Sequence, residues 1–292
     1  MNRLSKRWTG VGTAAVAAAL LWTGCGRSQP ADEATQDTIK LAYVNWAEGV
    51  AVTHLLTVLL EDMGYAVETT MADVAPIYTS VAEGNQDLMV ETWLPHTHAT
   101  YYERYGDRME LISTWYDEAR IGLVVPAYVD IDSIADLTAA RAQFNGVITG
   151  IDSGAGIMNS TESAIEDYEL DYQLLASSEP AMAASLQRSI DNGDWIVVTG
   201  WSPHWKFARF DLKYLEDPKG NFGATERIHS AARLGFSEAY PDIATMLGRM
   251  SFSAGEIGSL MDVMDGVADA AVERVAREWI SANEELVQSW LP

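Results

Sequence analysis

Two short stretches of this sequence echo one another: Trp93-Leu94-Pro95-His96 and Trp201-Ser202-Pro203-His204. With 10 Trp, 9 Pro and 5 His in 292 residues, composition alone gives a W-x-P-H motif about 0.005 times per chain. Each echo follows an apolar run that reads as a buried strand, Leu88-Met89-Val90 and Trp195-Ile196-Val197-Val198. The repeat therefore predicts two related half-molecules, each ending a strand in an exposed tryptophan. A third tryptophan, Trp46, sits in the polar loop Asn45-Trp46-Ala47-Glu48-Gly49. Any one of them could pack over its own half. Three together just past strand ends, where ligands collect in open α/β sheets, point to an aromatic box. Such a box suits a cation whose charge is methylated and diffuse, because a bare ammonium or metal ion is held too tightly by water. An indole face contributes about 0.5–2 kcal/mol when water is excluded. Three faces supply roughly 2–6 kcal/mol of the ~8 kcal/mol behind a micromolar complex.

A second candidate is the loop Asp152-Ser153-Gly154-Ala155-Gly156 leading into Ile157-Met158. Its glycines let successive backbone N–H groups converge, and a following helix N-terminus adds partial positive charge, so it suits a small anion. No Lys-Ser/Thr follows, so it is no phosphate loop; a plain strand-to-helix turn is the other reading. The third is His96-Thr97-His98, spaced like two metal ligands on a strand but without a cysteine or an evident third ligand nearby. Either a histidine donates to a ligand carboxylate, or the pair serves a secreted metal-dependent hydrolase, or it is structural. His54, His204 and His229 read as structural. No Gly-x-Ser-x-Gly motif or spaced acid pair stands out, so neither catalysis nor a cofactor is expected.

Strand and helix patterns alternate along the chain, which predicts an α/β fold. Residues 39–44 read as a first strand, and 50–63 as an amphipathic helix with Val52, Leu55, Leu56, Leu59, Leu60 and Met63 on one stripe. Further strands are expected at 66–70, 88–90, 121–126, 147–151 and 195–198, with helices at 76–84, 157–168 and 181–190 and a mainly helical C-terminal stretch. The apolar run 121–126 and the turn Asp217-Pro218-Lys219-Gly220 read as two crossings between lobes. They divide the chain into a first lobe of 38–121 and 222–292 and a second of 122–221, with hinge segments near 121–126 and 215–221.

The first 24 residues read as a signal peptide: Arg3, Lys6 and Arg7 precede an Ala-rich apolar stretch, and Thr23-Gly24 precede Cys25, the only cysteine. The site resembles a lipobox, so Cys25 is expected to be lipidated and residues 25–37 to form a polar tether. A formal net charge of −23 argues against nucleic acid or anionic lipid as a partner.

Six stretches together resemble the glycine betaine-binding proteins of bacterial ABC importers. They are Ala42–Trp46, Thr92–His98, Ile121–Pro126, Gly154–Met158, Val198–Trp205 and Leu212–Lys219. The resemblance covers residues 38–292. It implies a two-lobed periplasmic-binding-protein-like fold (type II) with the ligand cleft between the lobes. It also implies a monomeric, lipid-anchored, extracytoplasmic receptor that delivers its solute to an ABC permease with its ATPase. Trp46, Trp93 and Trp201 would cage the trimethylammonium group. The N–H groups of Gly156 and Ile157, with His98, would hold the carboxylate, and His96 is assigned no contact. Proline betaine, choline, carnitine or a dimethylsulfonio acid are alternative ligands, choline being disfavoured because it lacks the carboxylate. Buried in a neutral cage, such contacts would be little screened by salt.

Overall fold

The computed structural model describes residues 37–292, so the signal-peptide and Cys25 expectations lie outside the described residues. From the N-terminus the elements are β1 (Thr38–Tyr43), α1 (Ala47–Asp62), β2 (Ala66–Met71), α2 (Val74–Ala82), β3 (Leu88–Leu94) and α3 (Ala99–Tyr105). They continue as β4 (Met109–Pro126), β5 (Val147–Thr149), α4 (Gly156–Asp167), β6 (Gln173–Leu175), α5 (Glu179–Asn192), β7 (Val198–Ser202), α6 (Lys206–Arg209) and β8 (Leu212–Tyr214). After β9 (Glu226–Arg233) the chain is helical: α7 (Phe236–Ala239), α8 (Pro241–Arg249), α9 (Ala254–Met264), α10 (Asp269–Ala282) and α11 (Glu284–Trp290).

The strands run in the order β2-β1-β3-β9-β4-β7-β5-β6, with β8 also paired to β4. The β1/β2, β1/β3, β5/β6 and β5/β7 pairs are parallel, as strand–helix–strand crossovers require. The pairs around β9 and β4 are antiparallel. The 18-residue β4 joins the two halves of the sheet. Its residues Met109–Ala119 pair with β9, and Arg120–Val124 pair with β7. Sequence patterning marks only its last six residues as a strand. The preceding segment Glu110–Arg120 is interrupted by acidic and polar residues, and the ladder there is irregular.

The return crossing is a turn at Asp217–Gly220. There Asp217 accepts hydrogen bonds from the Tyr168 hydroxyl (2.8 Å) and the Phe222 N–H (2.9 Å), and Gly220 takes φ 76°. The 195–198 run is not the strand it resembles: β7 begins at Val198 and carries Trp201 within it. Trp93 likewise lies inside β3. The repeated motif thus occupies strands and their exits, and each copy has a cis X–Pro bond, Leu94–Pro95 and Ser202–Pro203.

The C-terminal helices complete the first half by covering Trp115 of β4. Trp115 is fully buried, meets Phe252 edge-on at 5.8 Å, and donates its indole N–H to the Val90 carbonyl at 2.7 Å. Phe252 in turn packs on Trp279 and Trp290. Truncating Trp115 to alanine would open a cavity under that layer and orphan the Val90 carbonyl. Trp115→Ala is expected to cost about 3–5 kcal/mol, read as a lower urea midpoint with an unchanged slope.

Candidate functional site

The sheet brings the candidate residues to one place. Trp46 is the N-cap of α1, fixed by its N–H to the Val44 carbonyl at 2.8 Å. Trp93 and Trp201 sit in β3 and β7, which flank the β9/β4 centre of the sheet. Together with Glu48, Thr97, Ile121, Ile151, Ala155, Gly156 and Ile157 they line a cleft with about 280 Å³ of atom-free space. The three tryptophans are not exposed as the sequence pattern predicts, but 2–5% accessible. The reason is that the two halves of the sheet have closed over them.

The loop Asp152–Gly156 leads into the N-terminus of α4. Ala155 caps α4 in an extended conformation, and the N–H groups of Gly156 and Ile157 open the first turn, where no intrahelical acceptor exists. Gly156 is required for a steric reason. A Cβ at this position would lie 1.8 Å from the Thr97 carbonyl oxygen of the other half. Nearby the Tyr101 hydroxyl donates to the Gly154 carbonyl at 2.7 Å, a second contact between the halves. A third is the ion pairing of Arg209 with Asp262 (3.0 Å) and Asp265.

His98 flanks the cleft, with its ring 5.8 Å from Trp46 and 5.6 Å from the buried Tyr78. Its Nδ1 accepts the Trp93 backbone N–H at 3.2 Å, so the proton of the neutral ring belongs on Nε2. Burial lowers its pKa to about 3, which keeps it neutral, and Nε2 has no partner. A buried N–H donor without an acceptor is costly and fits a ligand carboxylate.

His96 does something else. Its ring packs on Gly223 of the return crossing, where a Cβ would come within 2.6 Å of it. Its backbone N–H, with the N–H and hydroxyl of Thr97, is held by the buried Glu226. Among the described residues no group of three or more His, Cys, Asp and Glu has metal-binding geometry.

Four charged residues behind the tryptophans were not singled out by the sequence. Glu48 and Glu91 are fully buried, and each accepts an indole N–H at 2.8 Å: Glu48 from Trp201, Glu91 from Trp93. Glu179 accepts the Ala47 N–H at 2.7 Å and pairs with His204 Nε2 at 2.9 Å. His204 accepts the Lys206 N–H through Nδ1, so its ring is a neutral Nε2–H donor to Glu179. The fully buried Lys206 holds its Nζ 4.0 Å from the Trp201 ring centroid.

Burial dominates the electrostatics. It pushes Glu48 up to about 7 and Glu179 up to about 8, and draws Lys206 down to about 7. Glu91 too is pushed well above its ordinary value, through burial and then the neighbouring Glu48 charge. The spacings Trp46-x-Glu48 and Glu91-x-Trp93 are the available signals, the second placing both side chains on one face of a strand. Among 42 acidic residues they do not stand out.

Comparison with known proteins finds relatives over most of this chain. The model of the substrate binding domain of the ABC-type glycine betaine transport system matches residues 37–282. The glycine betaine/carnitine transport binding protein GbuC of Listeria monocytogenes is 44% identical over 152 residues, 51% of this chain and half the length of that relative. The lactococcal OpuAC structure, closed and complexed with glycine betaine, superposes with a TM-score of 0.81 at 36% identity, covering 88% of this chain and all of that one. ProX of Borrelia burgdorferi, a glycine betaine/L-proline-binding protein, gives 0.83 at 36% identity over 88% of this chain and 97% of that one. These likenesses include the two-lobed binding-protein fold, and the chain belongs to the family of substrate-binding domains of ABC-type glycine betaine transporters.

Proposed function

We propose that this protein is an extracytoplasmic receptor that captures glycine betaine, or a close compatible solute such as proline betaine, and delivers it to an ABC permease for osmoprotection. Anchoring through a lipidated Cys25 would keep it beside that permease. The family is one of transport receptors, which sets aside a hydrolase using His96 and His98. The observation that carries the reading is the single cleft walled by Trp46, Trp93 and Trp201 and closed by the Gly156–Ile157 loop. A trimethylammonium group suits the indole faces, and a carboxylate suits the Gly156 and Ile157 N–H groups and the unpartnered His98 Nε2. Choline would leave those donors unmet, which favours a zwitterion.

The lobes each supply part of both subsites: Trp46, Trp93 and His98 from the first, Trp201 and the Gly156 loop from the second. A ligand therefore gains its full set of contacts only in the closed form and shifts the population towards it. Calorimetric titration with glycine betaine, proline betaine, carnitine and choline tests the assignment; binding of choline as tightly as the betaines would overturn the carboxylate subsite.

Trp201→Ala removes one face of the cage and is expected to weaken glycine betaine binding by about 1–2 kcal/mol or more, measured by the same titration. His98→Ala should weaken glycine betaine more than choline, and equal losses would remove His98 from the carboxylate site. Gly156→Ala places a methyl against the Thr97 carbonyl, while alanine suits a helix start. The variant should keep its melting temperature and lose ligand-induced compaction in small-angle scattering.

A further inference from the structure

Three indole faces attract a cation through their ring quadrupoles. A buried carboxylate beside them adds to that selection for charge, and the cleft has a carboxyl in its lining. Glu48 is fully buried, lines the cavity beside the tryptophans, and has one oxygen engaged by the Trp201 indole at 2.8 Å. Neither Oε1 of Glu48 nor Oε1 of Glu91 accepts from an N–H or hydroxyl group, and the two carboxyls are hydrogen-bonded to each other. Glu91 stands beside it on β3, close enough that a Cβ on Gly49 would meet its Cγ at 2.8 Å.

The groups facing Glu48 are few. Glu91 faces it from β3, Glu179 from α5, and Lys206 from the start of α6. His204, between β7 and α6, is a neutral donor to Glu179, and Asp265 acts on Glu179 from beyond. Three buried carboxyls thus share one ammonium, too little positive charge for all of them to ionise together. Burial first, and for Glu91 and Glu179 then the Glu48 charge, holds all three well above the ordinary carboxylate range.

We propose that Glu48 is a specificity-determining wall of the cage: its carboxylate, held in place by Trp201, is the counter-charge for the quaternary ammonium, and ligand entry expels one proton from the Glu48–Glu91 pair to solvent. This inference rests on the receptor reading above. The step balances as a carboxylic acid plus a bound cation giving a carboxylate–cation pair and a free proton; no covalent bond other than O–H changes. Because the ligand lowers the pKa of the group it meets, binding tightens as pH rises through neutrality, by at most tenfold per pH unit for one proton.

The test compares glycine betaine with 3,3-dimethylbutanoate, which replaces the ammonium nitrogen by carbon and keeps the carboxylate. Titrations of the intact protein are run at about pH 6 and about pH 8, in buffers of differing ionisation enthalpy. Glycine betaine should bind more tightly at the higher pH and release a proton, while the isostere should do neither. Glu48→Gln keeps an acceptor for the Trp201 indole and removes the charge. It should abolish the proton release and lower the betaine-to-isostere affinity ratio by about tenfold or more.

An unchanged ratio in Glu48→Gln, or a wild-type binding heat independent of the buffer, overturns the proposal. If Glu48→Gln does not fold, the wild-type buffer series decides alone. Failure of the wild-type protein to bind any betaine would instead sink the receptor reading, and is seen before the variant is used.

Discussion

The hydrogen bond from the Trp201 indole to Glu48 joins residues 153 positions apart, one on a strand of the second half of the sheet and the other on the first helix. Much of the structure follows from accommodating it. Each of the two strand-borne tryptophans lining the cleft donates its buried indole N–H to a carboxyl, whereas that of Trp46 has no partner. Trp93 finds its acceptor two residues earlier on its own strand, whereas Trp201 must reach across the cleft. That bond ties the two halves of the sheet together across the cleft. So do the Ala47 N–H to Glu179, the Tyr101 hydroxyl to the Gly154 carbonyl and the packing of Gly156 against Thr97.

Placing carboxyls in a dry interior has a cost, and the layout shows how it is contained. Ionised carboxylates buried without partners would be prohibitive, so the groups shift towards their neutral forms and share Lys206. The tryptophans thus stand against buried carboxyls and a buried lysine as well as the cleft. Both buried histidines are held neutral in a defined tautomer, because each Nδ1 accepts a backbone N–H. That arrangement turns His98 and His204 into fixed donors rather than charges.

What could be read in the sequence, and what could not, follows the range of the interactions. The α1 stripe, the alternation of strands and helices and the turn at Asp217–Gly220 are local patterns, and they appear where periodicity and turn chemistry place them. The long β4 was half hidden, because its central part is irregularly paired and its outward residues are polar. Trp195–Val197 has the composition of a strand but is not one, since β7 starts where its partner Val124 stands. Trp93 and Trp201 were legible because their motif repeats, and Trp46 because it stands in a polar loop. Glu48, Glu91, Glu179 and Lys206 were not, because a buried acid and a solvated one look the same in a chain with this many carboxylates.

The ladder that carries Trp93 and Trp201 also sets the distance between them. Trp93 is opposite Ile228 of β9, Ile228 is opposite Tyr116 of β4, and five residues further along β4 Ile121 is opposite Trp201. The relative placement of the two tryptophans is thus counted out in residues along a single strand. Between Tyr116 and Ala119 that strand takes three steps against two on β9, a bulge that re-aims the side chains beyond it. The extra residue therefore belongs to the geometry that presents Trp201 beside Trp93.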